Sequence, residues 1–415
     1  MARIGSVIEM SEKREQSMRE VVVVSAARIP FGKFGGYLRD YSAVDLGTKA
    51  VQAVMEKIHL APEAVEELLM GVAVLAGTAA VAARQILFTS GLPANVPSLT
   101  LDRACCSSMT AAGLAVRDIA MGEVETVIAG GMEAMSQAPL VARGVRWGTR
   151  LGGIMLEEPL MMRNPIVDVP IAVGTGDVSL QYGIDREQQD QWALDSHRKY
   201  FAALTAGKFQ DEIYPWHRTD KDGNSTEVMQ DESPRADASL ERLRQLKPVY
   251  GGKTVTAGNA PGLNDGASAL ILMSRERQKE LGCKRLATIL SHVNLAGDPL
   301  SSPYMPALSI RKALEKVGLT LKDLKRIEIN EAFAAVPLVS TKVLSDGDAK
   351  VLAHLRSITN VNGGAVAIGH PTGASGARLV MTLIYELRRL GGGLGAAAIC
   401  GGFGQSDAVI VRVDD

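Results

Sequence analysis

The stretch PSLTLDRACCSSMTAAGLAVRDIAMGEVETVIA, residues 97–129, reads as strand, helix, strand. Residues 97–102 approach a short strand. Residues 107–121 carry apolar side chains at helical spacing, and Gly122 follows as a natural C-cap. Residues 125–129 return to strand composition. Working outward, the punctuation repeats. VVVVS at residues 21–25 is a β-branched run, residues 44–58 repeat with helical period, residues 67–72 read as strand and residues 78–89 as a small-residue helix. Strands that alternate with helices predict an α/β fold, a mostly parallel sheet with helices on its faces.

The texture changes over residues 133–252. Methionines cluster in LGGIMLEEPLMM, a charged helix spans residues 185–206, TDKDGNSTEV reads as a loop or hairpin, and QDESPRADAS is irregular. This is an inserted region, after which GNAPGLNDGASALILMS regains strand character. Alternation resumes with strand at 286–293, helix at 307–317, strand at 326–329, helices at 331–344 and 373–388, and a closing hairpin of 396–399 with 408–413. The expected organisation is an N-terminal domain (19–132 with 253–284), the insertion (133–252) and a C-terminal domain (285–415). Each half has three helices, and Cys105 and His370 both precede the third, which suggests an internal duplication despite weak literal identity between the halves.

The 415 residues, 46% of them hydrophobic, fit two or three globular cores, and the net charge of -1 offers no basic field for nucleic acid. Four cysteines, two of them adjacent, suit a reducing cytoplasm better than a disulfide framework. No CxxC or HExxH occurs, so no metal is expected. The first twenty residues read as a charged lead-in without a signal or transit pattern, and no apolar run is long enough to span a membrane.

Three places carry chemistry. Cys105 in LDRACCSSMTAAGLA stands at a helix start, where free N–H groups and the dipole favour a thiolate. Small residues follow it, so a substrate can approach; Cys106 reads as packing. His370 lies in NVNGGAVAIGHPTGASGAR, residues 360–378, where glycines let the main chain come close to a ligand. Cys400 opens CGGFGQSDAVIV, whose bland reading is a bulged hairpin turn. The other histidines, His59, His197, His217, His292 and His354, read as structural. Two thiols and an imidazole in glycine-rich settings point to nucleophilic catalysis with two proton-handling groups.

From about residue 20 onward the chain resembles the thiolases, the acetyl-CoA acetyltransferase and 3-oxoacyl-CoA thiolase family. VVVVSAARIPFGKFGG, RACCSSMTA, GGMEAMSQAP, TAGNAPGLNDGASA, NEAFA, NGGAVAIGHPTGASGAR and CGGFGQSDA follow in the family's order. The resemblance implies the duplicated five-layer αβαβα thiolase fold with an inserted loop domain, and a homodimer or homotetramer. It implies coenzyme A as co-substrate, with no permanently bound cofactor. It gives Cys105 as the nucleophile, His370 as its base and Cys400 as the second acid/base. Asn330 would hold a water that, with His370, binds the thioester oxygen. The backbone N–H groups of Cys105 and Gly402 would form the other oxyanion pocket, which a side chain at 402 would crowd. Arg235, and more weakly Arg242, would meet the nucleotide end of CoA.

The departures from the family pattern surround the acyl and pantetheine site. Pro170 and Ile171 stand where the family carries a His-Met pair, Pro261 replaces a small polar residue, and SSPYMPAL replaces a glycine-rich stretch. They point to a bulky, branched or aromatic 3-oxoacyl group. The alternatives are a short-chain acetyl-CoA acetyltransferase, a ketosynthase-like condensing enzyme, which the retained Cys400 argues against, and a non-catalytic CoA-binding subunit, which the intact trio argues against.

Overall fold

The computed structural model describes residues 18–161, 163–219 and 225–414. The charged lead-in falls almost wholly outside these residues, as does the tip of TDKDGNSTEV. The N-terminal half runs β1 (Val21–Arg28), α1 (Ala43–Glu56), β2 (Glu67–Gly71), α2 (Ala82–Thr89), β3 (Ser98–Leu101), α3 (Ser107–Met121) and β4 (Thr126–Ala134). A long excursion bearing α4 (Ile171–Gln181) and α5 (Arg186–Thr205) leads to β5 (Asn264–Ser274). The second half runs β6 (Ala287–Ala296), α6 (Met305–Glu315), β7 (Leu324–Ile329), α7 (Ala335–Leu344), α8 (Ala349–Ile358), α9 (Ser375–Arg389), β8 (Gly393–Gly401) and β9 (Gln405–Val413).

The main sheet has the order β3-β2-β4-β5-β1-β6-β9-β8-β7. The order makes the duplication visible. In the first half β1–β5 and β5–β4 are antiparallel, while β4–β2 and β2–β3 are parallel. In the second, β6–β9 and β9–β8 are antiparallel and β8–β7 is parallel. A single parallel bridge from Ile327 to Thr359 stands where β3 stands in the first half. The halves join where β1 meets β6, through Val21, Val22 and Val23 opposite Ile289, Thr288 and Ala287.

β1 shows why the run VVVV forms a buried strand. Val22 and Val24 enter the core beneath α1 and α2, whereas Val21 and Val23 enter the core around α3 and α9. A third core packs α6, α7 and α8 on the far side of the second half-sheet. The layers are therefore helix, sheet, helix, sheet, helix, with α3 and α9 in the middle. Arg28, fully buried, ends β1 between Glu212 at 3.0 Å and Asp231 at 2.6 Å, which ties the excursion to the sheet.

The sheet is mixed, not mostly parallel as expected, with five antiparallel and three parallel pairings along its order, and several elements also differ from expectation. α8 was not anticipated. Asp348 caps it by accepting from Lys350 and Val351 N–H, but only Leu355 and Ile358 of its residues are buried, so its apolar signal is thin. It also means that the helix after His370 is not third in its half. α4 forms despite Gly174 and Gly176, because Leu300 and Thr254 would each lie 2.8 Å from a Cβ at those sites. α7 starts at Ala335, not Glu331, because Glu331 is turned inward to accept from Trp192 Nε1 and Ser196 Oγ at 2.8 Å, from Asn360 Nδ2 at 3.0 Å and from Val366 N at 3.1 Å.

The two middle helices start back to back. A Cβ on Gly376 of α9 would lie 2.5 Å from the Met109 backbone nitrogen in α3. Gly376→Val is expected to cost roughly 1–3 kcal/mol by overpacking, read as a lower urea midpoint. It should also slow alkylation of Cys105, because it separates the helices whose starts carry Cys105 and His370. A variant with wild-type stability and labelling would show that the contact relaxes freely.

Candidate active site

The loop before α3 makes a sharp turn. Ala104 is left-handed at φ 50° and its N–H is held by Asp102 Oδ1 at 2.7 Å. This places Cys105, half-buried, just outside the helix, which starts at Ser107. The loop before α9 is held by Glu133, whose buried carboxylate accepts from Ala73 and Val74 N–H at 3.1 Å, from Gly373 N–H at 2.9 Å and from the Thr372 hydroxyl. Gly369, at φ 109°, turns the chain into His370, and a Cβ there would meet Asn264 Nδ2 at 2.7 Å. The Asn264 side chain accepts from His370 N–H at 2.8 Å.

The two loops meet at one contact. His370 Nε2 lies 3.2 Å from Cys105 Sγ and 3.3 Å from Asn330 Nδ2, at the end of β7. His370 Nδ1 lies 2.6 Å from Ser375 Oγ, and the Ser375 hydroxyl donates to Pro371 O at 3.0 Å. That hydroxyl has its proton committed, so it accepts from Nδ1–H and leaves Nε2 as the acceptor facing Cys105. No sequence signal singled out Ser375 or Glu133 for these tasks; each is an ordinary residue in a small-residue run.

Cys400 lies near the end of β8, on the other side of the Cys105 loop. Cys106 Sγ donates to Ile399 O at 3.4 Å. A Cβ on Gly401 would lie 2.9 Å from both Arg103 O and Cys106 Sγ, whereas one on Gly402 would meet only Ala104 Cβ, at 3.4 Å. The strict demand for glycine by the protein itself thus falls on Gly401, and Gly402 borders open space.

Burial sets the protonation states. It pushes the Cys105 thiol well up, with the neighbouring Cys400 and Glu133 adding to the shift, so it outweighs the helix start that was expected to favour a thiolate. Burial pushes Cys400 up to about 12. Burial first, then Arg378, lowers His370 to about 3. At neutral pH the site holds two thiols and a neutral imidazole, with the imidazole Nε2 in contact with the Cys105 sulfur.

A cavity of about 240 Å³ is lined by Lys33, His197, Ser233, Arg235, Gly258 and Leu263 among others. Asn264, which holds the His370 N–H, follows the lining residue Leu263 and donates to Ser233 Oγ at 2.7 Å. Arg235 stands exposed at this cavity. Arg242 does not line it and is paired with Asp237 instead. Pro170 and Ile171 are half-buried at the start of α4, outside its lining, and Pro261 lies beside lining residues without being one of them. His197, which sequence alone gave no reason to select, accepts from Arg235 N–H at 3.2 Å and is lowered to about 4 by burial and by Arg235.

The thiolase N-terminal domain model matches residues 21–276 and the thiolase C-terminal domain model matches residues 283–413. The chain belongs to the thiolase family. An acetyl-CoA acetyltransferase of Cupriavidus necator is 41% identical to this thiolase, covering 95% of this chain and 100% of its own. Human mitochondrial 3-ketoacyl-CoA thiolase, crystallised in complex with CoA, superposes with a TM-score of 0.89 at 39% identity, over 96% of this chain and 98% of that one. The Bacillus anthracis acetyl-CoA acetyltransferase superposes with a TM-score of 0.90 at 38% identity, over 96% and 100%. This thiolase is an acyltransferase of α/β thiolase fold. Among the described residues no group of three or more His, Cys, Asp or Glu side chains is placed to hold a metal, and no helix is long and apolar enough to cross a membrane.

Because His370 is neutral down to about pH 3, lowering the pH does not remove the base from Cys105 until far below the ordinary histidine range. Iodoacetamide labelling of Cys105, followed by peptide mass spectrometry, should show no inflection near about pH 6.5. Ser375→Ala should slow that labelling by roughly tenfold, the equivalent of one lost hydrogen bond of about 1.4 kcal/mol. An inflection near the ordinary histidine value would mean an open, solvated imidazole.

Proposed function

We propose that this thiolase cleaves, or in reverse condenses, a 3-oxoacyl-CoA through an acyl thioester on Cys105, with CoA as co-substrate. The observation that carries the reading is the 3.2 Å contact between Cys105 Sγ and His370 Nε2, with the Cys400 hairpin packed on the same loop. In thiolysis His370 Nε2 takes the thiol proton as the sulfur adds to the 3-oxo carbonyl. The adduct collapses with cleavage of the C2–C3 bond, and Cys400 gives its proton to the departing enolate. CoA then gives its thiol proton to the Cys400 thiolate and attacks the acyl group, and Cys105 leaves and recovers its proton from His370. The N–H groups of Cys105 and Gly402 hold the acyl oxygen; His370 and a water on Asn330 hold the thioester oxygen. Asn330 Oδ1, buried with no hydrogen-bond partner among the described residues, has the acceptor capacity for that water.

The cavity beside Asn264 is the proposed pantetheine route, with Arg235 at the nucleotide end. Pro170, Ile171 and Pro261 support a bulky, branched or aromatic acyl group, because a proline in place of a histidine removes a hydrogen-bonding ring, and Ile171 offers a stiff apolar wall. The rival is an acetyl-CoA acetyltransferase for acetoacetyl-CoA, favoured by the name and 41% identity of the Cupriavidus necator relative. Four free thiols support residence in a reducing cytoplasm.

We further infer a homo-oligomer. β3 is an outer edge of the sheet with Leu99 45% exposed, flanked by Val81 at 69% and Phe88 at 55%. An apolar edge of this kind is suited to a second copy of the chain. The loop between the paired residues Val141 and Glu157 presents Trp147 and Leu151 fully to solvent, a second apolar surface that would serve a tetramer. Sedimentation at the monomer mass of 44.1 kDa would exclude both.

A thiolysis panel of short, long, branched and aromatic 3-oxoacyl-CoAs tests the main reading. A bulky substrate is expected to show the higher specificity constant; acetoacetyl-CoA higher by about tenfold, roughly 1.4 kcal/mol, establishes the short-chain rival. Cys400→Ala should lose about 10²–10⁴ in turnover while Cys105 still accepts an acyl group from an activated thioester. Normal turnover in that variant would make Cys400 a turn residue.

A further inference from the structure

Cys105 and Cys400 lie on loops from opposite halves of the chain, and one side chain reaches across between them. Arg103, two residues before the nucleophile, fixes its own loop through the backbone: its N–H donates to Ser107 Oγ at 2.9 Å and its carbonyl accepts from Cys106 N–H at 3.2 Å. Its guanidinium leaves the loop. Nε donates to Gln405 Oε1 at 3.0 Å, and Nη1 donates to Asp407 Oδ1 at 2.5 Å and to Thr110 Oγ1 at 2.9 Å. Gln405 Nε2 in turn donates to Gly402 O at 3.5 Å, within the turn that follows Cys400.

Asp407 anchors this bridge. It is fully buried on β9. Its second oxygen accepts from the Thr110 hydroxyl at 2.6 Å and lies 3.2 Å from His292 Nε2. The carboxylate accepts only, so His292 carries its proton on Nε2. A Cβ on Gly113 would lie 2.1 Å from His292 Cε1, so α3 has room for this ring only because residue 113 is glycine. Burial alone would raise the Asp407 carboxyl, but His292, Arg103 and Thr110 outweigh it and hold the group below its ordinary value. A buried ion pair is a poor source of stability compared with apolar packing. The next inward residue of β9, Val409, and Ala112 of α3 are apolar and buried, so stability alone gives no reason for a charge at this place.

We propose that Asp407, acting through Arg103 and Gln405, is a positioning residue. It sets the spacing between the Cys105 loop and the Gly402 turn, and so the alignment of Cys400 with the acylated sulfur. The proposal rests on the reading of Cys400 as the second acid/base. The Cys105–His370 contact has holds of its own: Asp102 fixes the Ala104 turn at Cys105, and Glu133, Asn264 and Ser375 hold His370 from the other side.

The experiment compares Asp407→Asn, Arg103→Met and Gln405→Ala with the wild-type chain. Thiolysis turnover, the Michaelis constant for CoA and the rate of iodoacetamide labelling of Cys105 are read together. Turnover is expected to fall by about tenfold or more, as for a misplaced reacting group, with labelling and the Michaelis constant within about twofold. The Arg103→Met, Asp407→Asn double variant should fall no further than the worse single variant, since both cut one bridge. Turnover within twofold of wild type, or labelling that falls in step with turnover, overturns the proposal. Should Asp407→Asn fail to fold, Gln405→Ala decides, because it leaves the ion pair intact and cuts only the link to Gly402. Cys400→Ala separates the two levels. If it retains turnover, the role of Cys400 fails. If it loses turnover while the bridge variants keep theirs, only the bridge fails.

Discussion

Gly376 of α9 lies against the backbone of Met109 in α3, and the Ala377 N–H beside it donates to Ser108 Oγ at 3.0 Å. Everything at the site follows from that contact. The two middle helices begin at the same place, so the loops that precede them must also meet. One brings Cys105 and the other His370. Each loop is delivered by a helix packed between the half-sheets and then bonds across to the opposite half, Cys106 to Ile399 on β8 and Gly373 to Glu133 on β4. The duplication thus has a geometric outcome: the starts of the two middle helices bring a thiol and an imidazole into contact, the pair proposed as nucleophile and base.

Three buried carboxylates then hold the loops that the helices deliver. Glu133 gathers two N–H groups after β2 and two groups just after His370. Glu331 joins α5 to the segment that leads to His370. Asp407 joins the Cys105 loop to β9. Each satisfies most of its lone pairs with donors from distant segments, the condition under which a buried charge is tolerated. Hydrogen bonds are directional, so these anchors fix the orientation of loops that apolar packing alone would leave free to slide.

Much of this was legible in the sequence because it is local. Helix α3 and its Gly122 cap follow from the spacing of apolar residues and a single glycine. The sites of Cys105, His370 and Cys400 follow from motifs with small residues around a reactive one. What was not legible depends on contacts across the chain. α4 contains two glycines and looks like a poor helix until Leu300 and Thr254 are seen to require them. His292 looks like an ordinary core histidine until Gly113 and Asp407 are placed around it. Ser375 becomes the partner of His370 only once the Pro371 turn is known. The acyl pocket was the least legible part. Arg235 stands at the cavity, but Arg242 is engaged with Asp237, and Pro170 and Ile171 lie outside the cavity lining.

The burial that keeps both site thiols protonated has a chemical consequence outside the acyl-transfer reaction. Peroxides attack thiolates and react slowly with thiols. With no substrate bound, Cys105 carries its proton and reacts as a thiolate only in the small fraction of time that His370 has taken it, so the sulfur proposed as the nucleophile is oxidised slowly. By the same physics, an exposed loop cysteine with a lowered pKa would be oxidised first, and the protein would be inactivated before it turned over.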